Sequence, residues 1–227
     1  RPGIEQYNPF FPDVDDSILI NTSSSVIHSL FFNRFNNHWG IDYIQTTTGG
    51  RTLLNYGVDS RRNKEHFIRS RYQLNRQVSL GLGLKQGSRN FNSPFLENRN
   101  YNITYQVIEP VLTFLVRRNQ LRIQSGYKFD RRVNNPSVSS EKAIANSLNL
   151  EMKYNLPNAG AITSRITYSA ISYNGLENSG VAYVMLDGLQ KGKNWLWQAS
   201  FNTRVSKNIE MSFEYEGRKP ASSNVVH

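Results

Sequence analysis

The chain of 227 residues contains no cysteine, so neither a disulfide nor a thiolate metal site can form within it. Long apolar runs are also missing, and no segment approaches the roughly 18 residues that a membrane-spanning helix needs. Helical periodicity is equally scarce, because apolar residues do not recur in a convincing period of 3.6. A transmembrane β-sheet is not excluded, since its alternating strands give only a weak hydropathy signal.

Residues suited to catalysis or metal binding are few. The four histidines are His28, His38, His66 and His227. None of them forms an HxxxH or HExxH spacing, which metal sites favour. The DVDD cluster at 13–16 could bind Ca²⁺ only with further oxygen ligands, and a solvated loop explains it as well. We therefore expect a protein that is not an enzyme, with no catalytic residues, no metal and no cofactor.

What the sequence does contain is alternation. In residues 147–156, Leu148, Leu150, Met152, Tyr154 and Leu156 alternate with Asn149, Glu151, Lys153 and Asn155. A period of two is typical of a β-strand with one apolar face. Ten segments follow this pattern, near 24–33, 38–47, 65–74, 78–90, 100–117, 120–131, 143–156, 160–173, 194–205 and 208–218. The sequence predicts a connector at 1–23 and one β-domain at 24–227, which we expect to be incomplete at both ends.

One segment changes parity. In 100–117 the apolar residues are odd-numbered up to Val107 and even-numbered from Leu112 onwards, with Pro110 between them. Proline cannot donate a ladder hydrogen bond, so a β-bulge near Glu109–Pro110 would explain the change.

The connections differ in length. Tight breaks occur at 33–38, 74–78, 117–121, 156–161 and 205–209, and longer polar stretches lie between them, at 48–64, 91–99, 131–142 and 174–193. Short turns at one end and long loops at the other indicate an up-and-down meander. Outer-membrane barrels have this arrangement, with short periplasmic turns and long extracellular loops.

A soluble β-sandwich also buries alternate residues. Two features favour the barrel. Several segments exceed ten residues, which is long for a soluble strand and near the 9–11 that a tilted membrane strand needs. The polar faces also carry full charges deep within strands, as at Lys85 and Glu151, which suits a wet interior. The solvated side of a sandwich would carry such charges equally well, so the sandwich stays open.

Basic residues outnumber acidic ones by 27 to 17, which gives a net charge of +10. The surplus suits nucleic acid, phospholipid headgroups or lipopolysaccharide phosphates. Our candidates for lipopolysaccharide-phosphate contacts in the long loops are Arg131, Arg132, Lys191 and Lys193. A solvated loop surface explains these residues equally well. Because the basic residues form no stripe, we do not expect nucleic acid as a partner.

The stretch SYNGLENSGVAYVMLDGLQKGKNWLWQASFNTRVSKNIEMSFEYEGRKPASSNVVH at 172–227, with LFFNRFNNHWGID and LLNYGVDSRR upstream, resembles the C-terminal region of a family of large, mostly uncharacterised outer-membrane β-barrel proteins of Bacteroidota. The resemblance implies a cell outer-membrane location and a barrel fold, but no activity. The family's usual last strand, which ends on an aromatic residue, is not in this sequence.

We therefore predict an all-β, antiparallel, up-and-down transmembrane barrel or a contiguous part of one. Its function would be non-catalytic, as a transport barrel or as a barrel subunit of a larger envelope assembly. Its partners would be outer-membrane lipids, lipopolysaccharide and other envelope proteins. The alternative is a soluble or surface-exposed β-sandwich that binds an anionic glycan or nucleic acid.

The register prediction is specific. The residues expected to face lipid are Leu148, Leu150, Met152, Ile162, Ile166 and Tyr168. Those expected to face the lumen are Glu151, Lys153 and Arg165. An aromatic girdle is expected at Trp195, Trp197 and Tyr173, because such rings favour the membrane interface.

Overall fold

The structure is a computed structural model that describes residues 21–36, 38–54, 57–116, 120–135, 141–157, 160–206 and 209–221. It contains ten strands: β1 (Asn21–Phe32), β2 (Trp39–Leu54), β3 (Gly57–Gln73), β4 (Val78–Asn92), β5 (Tyr101–Val116), β6 (Leu121–Asn134), β7 (Glu141–Leu156), β8 (Gly160–Asn174), β9 (Gly192–Ser206) and β10 (Ile209–Lys219). A short 3₁₀ helix, Glu97–Arg99, precedes β5, and helix α1 (Gly180–Met185) lies between β8 and β9. No described helix has the length and apolar character needed to cross a membrane.

The ten strands form one antiparallel sheet in sequence order, from β1 to β10. This confirms the all-β, up-and-down architecture. Among the described residues the sheet is open, with β1 and β10 at its edges, and no second sheet packs on it. Residues 1–20, which include the DVDD cluster and most of the predicted connector, lie outside the described residues, and so does His227. The last three residues of the predicted 1–23 connector are not a loop, because β1 begins at Asn21.

The predicted long connection at 48–64 is wrong. β2 continues to Leu54 and β3 begins at Gly57, and the two strands pair along their whole length. The sequence hid this extension because both faces are polar there: TTTGG on β2 meets SRRNK on β3. Without an apolar face, a strand loses the two-residue period by which it is recognised.

The predicted bulge at Glu109–Pro110 is also wrong. β4 and β5 pair in one register from Val78↔Phe114 to Phe91↔Tyr101, and β5 pairs with β6 in one register on both sides of Pro110. Among the described ladders, the register shifts at one place, between Ile209 and Glu210. The parity change in β5 therefore needs another cause, and α1 supplies it.

Helix α1 packs on one face of the sheet, near the ends of β5 to β8 that are remote from the tight turns. Its Val181, Ala182 and Met185 form a core with residues of those strands. The strand residues of that core are Ile103, Ala143, Ile171 and Tyr173. We call this the helix face and the opposite one the belt face. On β5 the odd residues are apolar under α1, whereas the even residues are apolar near the tight turn, so the parity changes without a bulge.

Gly87 lies in a crowded part of the helix face. The Tyr105 ring crosses over it, and the Tyr105 hydroxyl donates to Glu65 Oε2 at 2.8 Å. A Cβ on Gly87 would overlap the Lys64 carbonyl oxygen and lie 2.5 Å from Tyr105 Oη. On Gly81 in the same strand, the nearest atom to such a Cβ is the Ser70 carbonyl oxygen at 3.7 Å. Glycine is thus required at 87 and not at 81.

We predict that Gly87→Ala lowers the free energy of unfolding by roughly 1–3 kcal/mol, because the added methyl overpacks against backbone. Gly81→Ala is the matched control on the same strand and face, and it should change stability by less than about 0.5 kcal/mol. Urea unfolding followed by far-UV circular dichroism measures both. Equal stability of the two variants would contradict the position of Tyr105 over Gly87.

Candidate functional site

The belt face carries a continuous apolar band across all ten strands, which we call the belt. It consists of the side chains that point to this face within 26–32, 39–43, 68–72, 78–84, 108–116, 121–129, 148–156, 162–168, 195–201 and 211–215. Many of them are exposed, for example Leu148 at 56% and Phe213 at 56%. No Asp, Glu, Lys or Arg lies within it. An exposed apolar surface of this extent is typical of a contact with lipid or protein.

The hairpin of β7 and β8 has the predicted register. Leu148 pairs with Tyr168, Leu150 with Ile166 and Tyr154 with Ile162. Directly paired residues share a face, so these six side chains and Met152 lie on the belt face. Glu151, Lys153 and Arg165 lie on the helix face. Contact of the first group with lipid stays a prediction.

The helix face carries paired charges. Arg122 Nη2 lies 2.8 Å from Glu151 Oε1, and Arg165 Nη2 lies 2.5 Å from Glu151 Oε2, so one carboxylate joins three strands. Arg69 pairs with Asp42 across β2 and β3. Further along, Gln198 donates to Glu214. Over the span of the belt, the sheet is therefore apolar and uncharged on the belt face and ion-paired on the helix face.

The tight turns are staggered in one direction. Rows of hydrogen-bonded residues run across the sheet from strand to strand and give a common reference for all tight turns. Relative to these rows, each tight turn from β1–β2 to β9–β10 is displaced along the strand direction by about two residues from the previous one. This displacement is roughly 7 Å at the usual rise per residue. Two strands occupy roughly 9.6 Å across the sheet. The stagger thus corresponds to strands tilted by roughly 35°, which is within the range of β-barrels.

Two of the three girdle residues lie on the belt face. Trp195 packs on Tyr168 with ring centroids 4.8 Å apart, and Trp197 covers Gly217 of β10. Tyr173 does not belong with them. It is buried on the helix face under α1, where its hydroxyl donates to Glu141 Oε1 at 3.1 Å. In β8 the even-numbered residues point to the belt face and the odd-numbered residues, including Tyr173, point to the helix face. The prediction that Tyr173 belongs to the girdle is therefore wrong.

The prediction that Arg132 contacts phosphate is also wrong. Its side chain is buried on the helix face and donates to both oxygens of Asp130, at 3.0 and 2.7 Å, and to both oxygens of Asp187. Its Nη1 also reaches the carbonyl oxygens of Val184 and Met185. All of its donor groups are engaged, so the guanidinium cannot also bind a phosphate. Its role is to attach α1 to the sheet.

The other three candidates differ from one another. Arg131, next to Arg132, points to the belt face and makes no ion pair within the described part of the chain. Lys193 lies on the belt face beside Trp195. Lys191 pairs with Glu177 at 3.0 Å in the loop that carries α1. Phosphate contacts of these three residues stay a prediction.

The α1 segment itself was not predicted. Ser179 caps its first turn by accepting from the Ala182 amide at 2.9 Å, and Asp187 and Gly188 end it with positive φ angles of 52° and 74°. The signals were present as Ser179 before an apolar run and as Asp-Gly after it. The segment was too short to show a helical period.

Opposing effects act on the pKa of the Asp187 carboxyl. Its burial raises the pKa of this carboxyl, but hydrogen bonds from Arg132 and the charges of Arg132, Lys128 and Arg89 lower the pKa more, so it lies below the ordinary value. The side chain is half-exposed, and solvent screening therefore limits its share of the stability.

Among the described residues, no three His, Asp or Glu side chains come together as metal ligands. The chain matches no protein-family model. No curated protein matches it either. The resemblance to the Bacteroidota family therefore stays a prediction.

We predict that Arg132→Gln releases α1 from the sheet, because Asp130 and Asp187 then lose their common partner. Because Asp187 is half-exposed and Lys128 still pairs with Asp130, losing the Arg132 hydrogen bonds should cost roughly 1–3 kcal/mol, and the loss should be concentrated in 177–191. Hydrogen exchange of that segment measures it. Arg131→Gln, one residue along and on the other face, should leave the exchange unchanged; equal effects would contradict the assignment of Arg132 to α1.

Acid should loosen the same contact. A carboxyl with a lowered pKa stabilises the fold above its unfolded pKa of about 3.9, and this contribution is lost as the pH falls through the folded pKa. Protection of α1 amides, corrected for intrinsic exchange, should be constant from about pH 7 to pH 5 and should decrease below about pH 4. In Asp187→Asn the protection should already be lower at neutral pH, and its acid decrease should be smaller. An unchanged acid decrease in that variant would contradict the assignment.

Proposed function

We propose that the chain is a non-catalytic outer-membrane protein whose sheet forms the wall of a transport barrel or of a barrel subunit in a larger cell-envelope assembly. The observation that carries the proposal is the belt, which is exposed, uncharged and continuous over ten strands. Its partners in this proposal are the acyl chains of outer-membrane lipids and, for an assembly, other envelope proteins.

The dimensions of the belt support the proposal. On β7 it extends from Leu148 to Leu156, which matches the 9–11 residues that a tilted strand needs to cross a bilayer. The strand tilt of roughly 35° derived from the turn stagger agrees with that requirement. A soluble single sheet would have to leave this band in water, at a cost of roughly 25 cal/mol for each Å² of apolar surface.

In this proposal the helix face forms the interior of the barrel. Paired charges such as Glu151 with Arg122 and Arg165 suit a wet lumen, where they keep water contacts. Helix α1 covers the helix face near the ends of β5 to β8, so it would narrow the lumen at the end opposite the tight turns.

A membrane location also requires partners for the two edge strands. The bilayer core offers no water to unpaired backbone groups, so only closed barrels cross it with strands. We propose that β1 and β10 are closed by pairing with one another or with further strands. The single sheet argues against the alternative of a sandwich, because the described residues include no second sheet to cover the belt.

Fractionation tests the location. The expressed chain should sediment with membranes and should need detergent to stay in solution, because water cannot solvate the belt. Recovery of a monodisperse, folded protein from the soluble fraction without detergent would overturn the proposal in favour of a soluble sheet.

Substitution tests which face meets lipid. Leu150→Arg should lower the stability of the membrane-inserted fold by roughly 2 kcal/mol or more, since Arg facing lipid is costly within the apolar band. Asn149→Arg is the control on the helix face of the same strand and should be tolerated. Urea unfolding in lipid vesicles, followed by circular dichroism, gives both values. Equal tolerance of Arg at the two positions would contradict the proposed lipid-facing register.

A further inference from the structure

The acidic residues of the sheet all lie on one face. The strands contain ten of them, and the pairing registers put every one on the helix face. They are Asp42, Asp59, Glu65, Glu109, Asp130, Glu141, Glu151, Glu210, Glu214 and Glu216. The belt face of the ten strands thus has no acidic side chain, and its charged residues are all cationic.

These cations are confined to the part of the belt face beyond the belt, on the side away from the tight turns. Those nearest the belt's edge along their own strands are Arg131, Lys193, Lys64 and Lys219. We call this set the cationic border. Ion pairing within the sheet cannot neutralise it, because no carboxylate of the strands shares its face. A surface of this kind suits an anionic partner that lies alongside the apolar belt.

A groove of about 510 Å³ crosses the border over β3 to β6. Lys64 and Arg131 lie in its lining with Gln86, Gln106 and Thr104 between them. His66 is held there by a hydrogen bond of 2.9 Å between its Nδ1 and the Tyr43 hydroxyl. Within the described residues neither Lys64 nor Arg131 makes an ion pair. The groove therefore offers two cations and several amide and hydroxyl donors, which is the chemistry that binds phosphate.

We infer that this groove binds the phosphate of an anionic lipid headgroup whose acyl chains lie on the belt. The inference rests on the proposed function, since it places the groove at the edge of the bilayer. In this inference the phosphate is bound by Arg131 together with Lys64, and the buried Arg132 takes no part. A lipid headgroup is favoured over a free phosphate because the groove adjoins the belt through Ile68, Leu84 and Ile108, so that one molecule can contact both.

Native mass spectrometry of the protein in nonionic detergent micelles tests the inference. Phosphatidylglycerol and phosphatidylcholine of equal chain length are offered in competition, and we expect at least about fivefold preferential retention of phosphatidylglycerol, equivalent to about 1 kcal/mol. Lys64→Gln with Arg131→Gln should abolish the preference, whereas Lys64→Arg with Arg131→Lys should keep it. The charge-matched control on the helix face, Lys85→Gln with Lys153→Gln, should also keep it. Circular dichroism verifies that each variant is folded.

Four outcomes would overturn the inference. Equal retention of both lipids by the native chain would remove the headgroup site. Loss of the preference in the helix-face control would indicate net charge rather than the groove. Displacement of the lipid by millimolar inorganic phosphate would indicate a free-anion site, and displacement by a single-stranded oligonucleotide would indicate a nucleic-acid site. Failure of the proposed function is distinguished from all of these, because a chain that is soluble without detergent fails in the fractionation experiment first.

Discussion

The structure depends on one constraint, the unbroken register of ten antiparallel strands. Side chains alternate between faces along a strand, so a slip of one residue would exchange the belt and the helix face. From β1 to β9 every ladder in the described residues keeps a single register, even past Pro110. The separation of apolar residues, acidic residues and border cations onto defined faces follows from this register alone.

The structure also depends on the local packing of α1 against the ends of β5 to β8. Arg132 joins Asp130 of the sheet to Asp187 of the α1 segment with bidentate contacts, and Val181, Ala182 and Met185 cover Ile103 and Tyr173. Here the helix face has a dry core, although the rest of that face is ion-paired. The two parts of one face therefore have different chemistry, and the strands beneath them have different apolar parity.

Most of the fold could be predicted from alternation, because each of the ten strands carries a segment of the apolar belt that marks it. The extensions of β2 and β3 could not be predicted, since TTTGG and SRRNK have no apolar face. Tyr173 and Arg132 were misassigned for a related reason. Their roles depend on α1, which is a helix of six residues. The α1 segment contacts residues more than 50 positions away in the sequence, and a local sequence pattern cannot predict such a contact. The register of 148–156 was predictable because Glu151 and Lys153 fix its polar face.

The central claim is that the belt face meets lipid, and the native tryptophans can test it without any substitution. All three of them, Trp39, Trp195 and Trp197, lie on the belt face. Their fluorescence should be measured in vesicles of phosphatidylcholine brominated along its acyl chains, with iodide in the aqueous phase as the second quencher. The account predicts blue-shifted emission that the bromines quench strongly and iodide quenches weakly. Folded protein whose emission is quenched by iodide and not by the brominated chains would contradict it.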